Sequence, residues 1–300
     1  MIDTLQDALQ HGFNQRALLA AALIGFINGC FSGFVVIRRS ALFAGTLCHV
    51  LFPGVVVGAA LFGLTAASAF GGSLVACLVV SLGTVWIARL GRLDKGTALG
   101  VLYPLSFAAA LLIIAKPGGN GVDLEHYLLG YILTLSDTDL WFIIGIGIIV
   151  LPTLVLLQRP LQLFMFDPDV AQSLGVPVRG LNVLLVIFLV LVTITSFQAV
   201  GTILALGLLV TPGAILLLHV ESPRLLFWLG GLLGATLATT GLLIAILTNL
   251  HPGALIVIVF GLAFLIAFAL SPRYGLLRLV LRRHEAAHSP PVSPSPPATK

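Results

Sequence analysis

His49 is the residue in this sequence best suited to chemistry. It lies a turn or two inside an apolar run at residues 43–63, where an imidazole ring needs a partner. Pro53 has no N–H to bond the carbonyl of His49, so that carbonyl is left partly free. A neutral imidazole is a good ligand for Zn²⁺, Mn²⁺ or Fe²⁺. His49 is therefore a candidate metal ligand, and the alternative is a hydrogen-bonded packing histidine.

Residues 166–177 carry the signals of a two-turn helix with defined ends. Asp167 is a good N-cap, because its carboxylate can accept bonds from amides two or three residues later. Pro168 suits the first helical position, and Asp169 meets the positive end of the helix dipole. Gly175 can adopt the left-handed conformation that ends a helix, and a proline follows at position 177.

The same segment also has an apolar face. Val170, Ala171 and Leu174 share one side of the predicted helix. One interpretation is a connector that lies on the membrane surface. The other is a rigid peg (residues 166–175) that transmits force from a partner on the cytoplasmic side.

Composition shows what kind of protein must position these residues. The chain has 300 residues, of which 9% are charged and 59% hydrophobic, and its mean hydropathy is +1.13. A soluble domain of this size carries about 25% charged residues. The sequence therefore predicts an all-α, polytopic bundle of helices in a lipid bilayer. No Gly-x-x-x-x-Gly-Lys-[Ser/Thr] motif is present, so we expect no bound nucleotide. The net charge of +4 lies at the ends of apolar runs and indicates membrane orientation, not nucleic-acid binding.

Nine apolar runs are long enough to span a bilayer, which requires about 20 residues. They are residues 17–37, 43–63, 69–89, 97–115, 140–158, 180–199, 201–219, 225–247 and 253–271. The run at 201–219 is the one most open to a break, because it contains Gly201, Gly207, Pro212 and Gly213. We divide the chain into an external interfacial segment (1–16), the transmembrane domain (17–272) and a cytoplasmic basic segment with a Pro/Ser-rich tail (273–300).

The glycines of two runs predict close helix packing. Gly25, Gly29 and Gly33 line one stripe of the first run, and Gly230 and Gly234 form a similar stripe in the eighth. Such stripes let the backbone of a neighbouring helix approach.

The basic residues predict the orientation. If the loop with Arg38 and Arg39 is cytoplasmic and the runs alternate, twelve Lys and Arg residues fall inside, leaving aside Lys300 in the tail, while only Arg16 and Lys116 fall outside. Cytoplasmic loops are enriched in these residues. We therefore expect the N-terminus outside and the C-terminus in the cytoplasm.

All eleven acidic residues fall in predicted loops or termini. Proton- and sodium-coupled transporters generally need a carboxylate within the membrane. A transporter without one must be driven from elsewhere, and a motor on the cytoplasmic side is the natural alternative. No set of nucleophile, base and acid can be assembled either, so we do not expect an enzyme.

Five segments carry distinctive motifs: residues 13–18, 36–41, 48–54 (Cys-His-Val-Leu-Phe-Pro-Gly), 166–175 (Phe-Asp-Pro-Asp-x-Ala-x-x-x-Gly) and 208–214 (Leu-Leu-Val-Thr-Pro-Gly-Ala). Together they resemble the permease subunit of the zinc, manganese and ferrous iron branch of bacterial ABC importers. They occur in the order of the family and cover about residues 13–272.

The resemblance implies an assembly in the bacterial inner membrane. It implies a homodimer of permeases, two cytoplasmic ATPase subunits and an extracytoplasmic metal-binding protein. The transported metal ion would bind transiently, and no resident cofactor is implied.

The resemblance also implies roles for particular residues. The peg would seat in a groove on the ATPase, with Phe166, Asp167, Pro168, Asp169, Val170, Ala171, Leu174 and Gly175 as the contacts. His49 would contact the metal, and Pro53 and Pro212 would break or gate their helices. If the second spans flank the dimer axis, two His49 rings meet at one pathway, in a site too incomplete to retain an ion.

One residue departs from the family pattern. Family members usually carry an aspartate four residues before the histidine, and this sequence has Gly45 there. Two alternatives to a metal importer stay open. One is an ABC permease for a metal chelate or a small organic molecule, and the other is a channel or secondary transporter that needs no motor.

Overall fold

The computed structural model describes residues 12–63, 65–115, 132, 135–220 and 222–271. These residues contain helices and no strand, which confirms the predicted helical bundle. The helices are α1 (Gly12–Ile37), α2 (Ala41–Phe62), α3 (Ala66–Leu90), α4 (Lys95–Ile114), α5 (Asp137–Leu156), α6 (Gln158–Phe166), α7 (Pro168–Ser173), α8 (Val178–Leu217), α9 (Pro223–Thr248) and α10 (Pro252–Leu270).

Eight segments of the described chain are long and apolar enough to cross a membrane, and they match eight of the nine predicted runs. The remaining run, at residues 201–219, is shorter than predicted. Helix α8 is interrupted at Gly201, whose φ of 77° and ψ of 177° are not helical, and the apolar helix beyond it is Leu204–Leu217. At about 1.5 Å per residue this helix is about 20 Å long, less than the roughly 30 Å of a hydrocarbon core.

The two prolines expected to break helices do not do so. Helix α2 continues through Pro53, and the second part of α8 continues through Pro212. Both predicted breaks are wrong, although each proline still removes one backbone hydrogen bond. Next to Pro212, α8 packs closely on α1, because a Cβ added to Gly213 would come within 2.7 Å of the Ser32 carbonyl carbon. A role of these prolines in gating stays a prediction.

The predicted glycine packing joins α1 to α9. A Cβ added to Gly25 would lie 2.8 Å from the carbonyl carbon of Gly234, and one added to Gly29 would lie 2.7 Å from that of Gly230. Real Cβ atoms do not come this close to backbone atoms. The two helices therefore touch backbone to backbone, as the stripes in the sequence indicate.

Polar side chains connect α1 to the first part of α8. The Asn28 Nδ2 donates to the Ser196 Oγ at 2.7 Å and to the Ile24 carbonyl at 2.8 Å. Both polar side chains are fully buried. In hydrocarbon, such bonds satisfy groups that would otherwise be costly to bury. The bond thus fixes α1 beside the segment that precedes the break at Gly201.

The two ends of the bundle can be recognised from the described loops. Arg16 at the start of α1 forms an ion pair of 3.2 Å with Asp137 at the start of α5. The turn at Arg38, Arg39 and Ser40 lies at the opposite end of α1, which we call the Arg38 end. In the orientation predicted from the sequence, Arg16 and Asp137 lie on the outer side of the membrane and Arg38 lies on the cytoplasmic side. The absolute orientation stays a prediction.

Some predictions fall outside the described residues. These are the N-terminal part of the interfacial segment and the cytoplasmic tail from residue 273 onward. The last part of the predicted interfacial segment, from Gly12 to Arg16, belongs to α1. The predicted domain boundaries themselves stay predictions.

Candidate functional site

His49 lies on an uncovered face of α2. Leu42, Val57 and Ala60 are exposed on the same face, and the His49 side chain is exposed with them. A face of this kind in a membrane protein meets lipid or another chain. The imidazole is therefore available to a ligand or to a second copy, as the sequence-based hypothesis requires.

A row of aromatic rings between α2 and α4 positions the imidazole. The centroid of the His49 ring lies 5.7 Å from that of Tyr103, with the planes at 41°. Tyr103 in turn lies 6.2 Å from Phe107, and Phe107 lies 5.6 Å from Phe52 on α2. Tilted rings at such distances attract one another. His49 is thus held against α4 by a ring that sequence reasoning did not identify.

Gly45 is buried where the resemblance predicts an aspartate. A Cβ added at this position would lie 3.3 Å from both Cδ atoms of Leu206, on the second part of α8. A carboxylate there would have to displace the leucine side chain. The space next to His49 on this side is therefore apolar.

The described residues contain no group of three or more His, Cys, Asp or Glu side chains that could hold a metal ion. Within the described part of the chain, His49 therefore does not belong to a ready-made set of three or more such ligands. The cysteines do not extend the site, because Cys30, Cys48 and Cys77 are buried and form no disulfide.

A cavity of about 500 Å³ opens near the Arg38 end and extends towards His49. Arg38, Arg39 and Asp94 line its polar part. Thr46 and Gly100 also line it, and they precede His49 and Tyr103 by about one helical turn. The cavity thus begins at the Arg38 end of the bundle and stops about one helical turn before the imidazole, which does not line it.

The peg has the local structure that its sequence predicts. The Asp167 Oδ1 accepts from the amides of Asp169 at 3.1 Å and Val170 at 3.0 Å, so Asp167 is the N-cap of α7. Pro168 occupies the first turn. Gly175 follows the helix with φ of 80°, in the left-handed region. These bonds make a short helix whose two ends are fixed by particular residues.

The peg projects from the bundle with most of its side chains exposed. Phe166 is 63% exposed, Val170 43% and Leu174 67%. Ala171 is the exception, since it is fully buried. Its predicted place on the apolar face that meets a partner is therefore wrong. It turns inward because its carbonyl accepts from the Val176 amide at 3.0 Å, which folds the chain back over it.

The remaining described histidines, His219 and His251, lie at helix ends. The His219 Nδ1 lies 3.1 Å from the Ile215 carbonyl oxygen, just after α8. His251 is the N-cap residue of α10. Neither belongs to the face that carries His49.

The sequence is similar to known proteins over nearly its whole length. The profile of the ABC 3 transport family matches residues 10–271. The manganese transport system membrane protein MntC of Halalkalibacterium halodurans is 36% identical and aligns with 90% of this chain and 91% of its own. The manganese import system permease protein ScaB of Streptococcus parasanguinis is 35% identical, with coverages of 95% and 100%.

A solved structure has the same architecture. It is described as PsaBC from Streptococcus pneumoniae in complex with Fab, and the two chains superpose with a TM-score of 0.82 at 31% identity. The match covers 93% of this chain and all of the other. The helix arrangement of this chain therefore matches that of one chain of the solved complex.

Proposed function

The chain belongs to the ABC 3 transport family, and from that premise we propose that it is the membrane subunit of an ATP-driven manganese importer. It is a multi-pass protein of the bacterial inner membrane and the permease of a metal ABC importer. The observation that carries the proposal is the near full-length match to two permeases named for manganese.

The distribution of charged residues supports the proposal that a separate subunit supplies the energy for transport. Of the side chains that the structure describes, no Asp, Glu, Arg or His is buried, and the buried polar ones are Ser, Thr and Asn. None of these can exchange a proton at ordinary pH. A coupling ion therefore has no carboxylate to bind inside this part of the chain, and ATP hydrolysis by separate subunits is the remaining source of work.

The proposed metal pathway lies between two copies of the chain. The uncovered face of α2 would meet its counterpart across a two-fold axis, which brings two His49 rings to one passage. Two imidazoles with water are fewer fixed ligands than a tight structural metal site uses. A passage needs such weak binding, because the ion must leave as well as enter.

A second candidate has one observation in its favour. With Gly45 packed against Leu206, the site lacks the carboxylate that would offset the charge of a bare divalent ion. A chelate of lower charge would suit such a site better. The second candidate is therefore a permease of the same fold that transports a metal chelate, and the experiment below includes a chelate.

Uptake under competition distinguishes these cargos. Cells without their own manganese importers would express the chain with its ATPase and binding protein, and take up labelled Mn²⁺. We expect unlabelled Mn²⁺ to suppress uptake at lower concentration than Zn²⁺, Fe²⁺ or a preformed manganese chelate. If the chelate is the strongest competitor, or if Mn²⁺ does not compete, manganese is not the cargo.

A further inference from the structure

Arg38 lies in the short turn that joins α1 to α2. The Arg39 amide donates to the Val36 carbonyl at 3.0 Å, and the Ser40 amide donates to the Val35 carbonyl at 2.9 Å. Arg39 itself has φ of 53°, in the left-handed region. Helix α2 begins directly after Ser40. A displacement of Arg38 must therefore move the first turn of α2, since no slack chain separates them.

The Arg38 side chain reaches across to the helix that precedes the peg. Its guanidinium carbon lies 4.2 Å from the centroid of the Phe164 ring, within the range of a cation–π contact. Phe164 is only 3% exposed. It belongs to α6, which ends at Phe166, immediately before the Asp167 cap. The contact thus joins the segment that carries the peg to the turn before α2.

This contact is the main compensation that the structure gives to the Arg38 charge. Burial lowers the pKa of the guanidinium from its ordinary value, although an arginine stays protonated. The Nη1 atom is buried and has no hydrogen-bond partner among the described residues. A partly buried cation is costly unless something offsets the lost water, and the negative face of the Phe164 ring does so.

A cation–π contact, such as that of Arg38 with the Phe164 ring, can persist while the two segments move relative to each other. Hydrogen bonds to carboxylates need fixed distances and angles. A guanidinium over a ring is held by a broad electrostatic attraction with no single direction. The two segments can therefore shift against each other a little without losing the contact.

We propose that Arg38 is a positioning residue that passes movement of the peg, through Phe164, to α2 and so to His49. His49 is about two helical turns from the start of α2. The inference rests on the proposed function, because it takes the peg as the docking point of the ATPase. A competing route exists, since the peg also leads through Val176 directly into α8.

The test compares variants of both partners in the complete complex with its ATPase. Arg38→Gln and Phe164→Leu remove the cation and the ring face, whereas Arg38→Lys and Phe164→Trp keep a cation–π pair. Arg39→Asn is the matched control, because it removes a charge from the same turn and asparagine tolerates a left-handed φ. The measured quantity is Mn²⁺ moved per ATP hydrolysed in proteoliposomes.

We expect Arg38→Gln and Phe164→Leu each to lower this ratio about tenfold while ATP hydrolysis continues, as the strength of a desolvated cation–π pair suggests. The double variant should be no worse than either single one. Arg38→Lys, Phe164→Trp and Arg39→Asn should keep most of the ratio. A merely structural role would lower the amount of complex and leave the ratio unchanged.

A second readout does not depend on the cargo. Leu42, in the first turn of α2, is 88% exposed in the single chain and lies on the face of α2 that would meet the second copy, whereas the native cysteines are buried. A dye on Leu42→Cys should report a change when ATP binds, and Arg38→Gln should abolish it while Arg39→Asn does not. The inference is overturned if Arg38→Gln keeps the dye response, or if the losses in the double variant simply multiply. If the wild type gives the dye response but moves no manganese, the proposed function is wrong, while the proposed role of the contact between Arg38 and Phe164 still holds.

Discussion

We expect a permease that carries both Asp167→Leu and Gly175→Val to reach the membrane in normal amounts and to lose about tenfold or more of its metal uptake. The first change removes two bonds to the amides of α7, which costs about 1 kcal/mol. The second forces a β-branched residue to φ of 80°, which costs roughly 1–2 kcal/mol. Together they exceed the about 1.4 kcal/mol that changes a population tenfold. Because the peg is exposed, the membrane part of the fold should be unaffected.

A matched control exists at the other end of the bundle. Ser136 is the N-cap of α5, and its hydroxyl accepts from the Asp139 amide at 3.2 Å. Gly63 follows α2 with φ of 79°, and a Cβ there meets nothing within 4 Å, as is also true of Gly175. The double variant Ser136→Leu with Gly63→Val thus removes a helix N-cap and puts a β-branched residue at a positive φ, as the peg variant does, but far from the peg. We expect it to retain most of the uptake of labelled Mn²⁺, with membrane content measured by immunoblot. If the peg variant transports as well as this control, the peg does not couple the ATPase to transport.

We expect His49→Ala to abolish uptake and to leave ATPase assembly intact. The ring is exposed and makes its nearest described aromatic contact with Tyr103, so its removal should disturb the bundle little. Loss of even an outer-shell partner of a metal ligand lowers affinity about 10–100-fold, and loss of a ligand itself should cost no less. The measurement is labelled Mn²⁺ uptake together with co-purification of the ATPase.

His251→Ala is the control for the histidine variant. His251 lies at the start of α10, outside the face that carries His49. We expect this variant to transport normally. Tyr103→Phe keeps the ring against His49 and should also retain most of the activity. Normal uptake by His49→Ala would remove this residue from the pathway and leave it as a packing histidine.

Features that depend on neighbouring positions in the chain could be predicted from the sequence. The cap at Asp167 and the left-handed Gly175 follow from the preferences of single residues. The spans follow from the length of apolar runs, because hydrocarbon leaves the backbone no partner but itself. The packing of Gly29 on Gly230 could be anticipated from four-residue spacing, although not the identity of the pair.

Features that depend on which helices meet could not be predicted. Nothing in the sequence places Tyr103 beside His49 or Phe164 beneath Arg38, since each pair joins helices far apart in the chain. Helical periodicity groups Ala171 with Val170 and Leu174 on one face of the peg. It does not show that the chain folds back over Ala171 and buries it. The break in α8 occurs at Gly201 and not at Pro212, because glycine alone accepts a φ of 77° without strain.

The central claim is that this polypeptide has no energy source of its own and receives work from an ATPase at the Arg38 end. Proteoliposomes that contain the purified permease, with or without the ATPase and ATP, test it most directly. We predict that Mn²⁺ rises above its outside concentration only when the permease, ATPase and ATP are all present with the binding protein. Accumulation against a gradient by the permease alone would contradict the account.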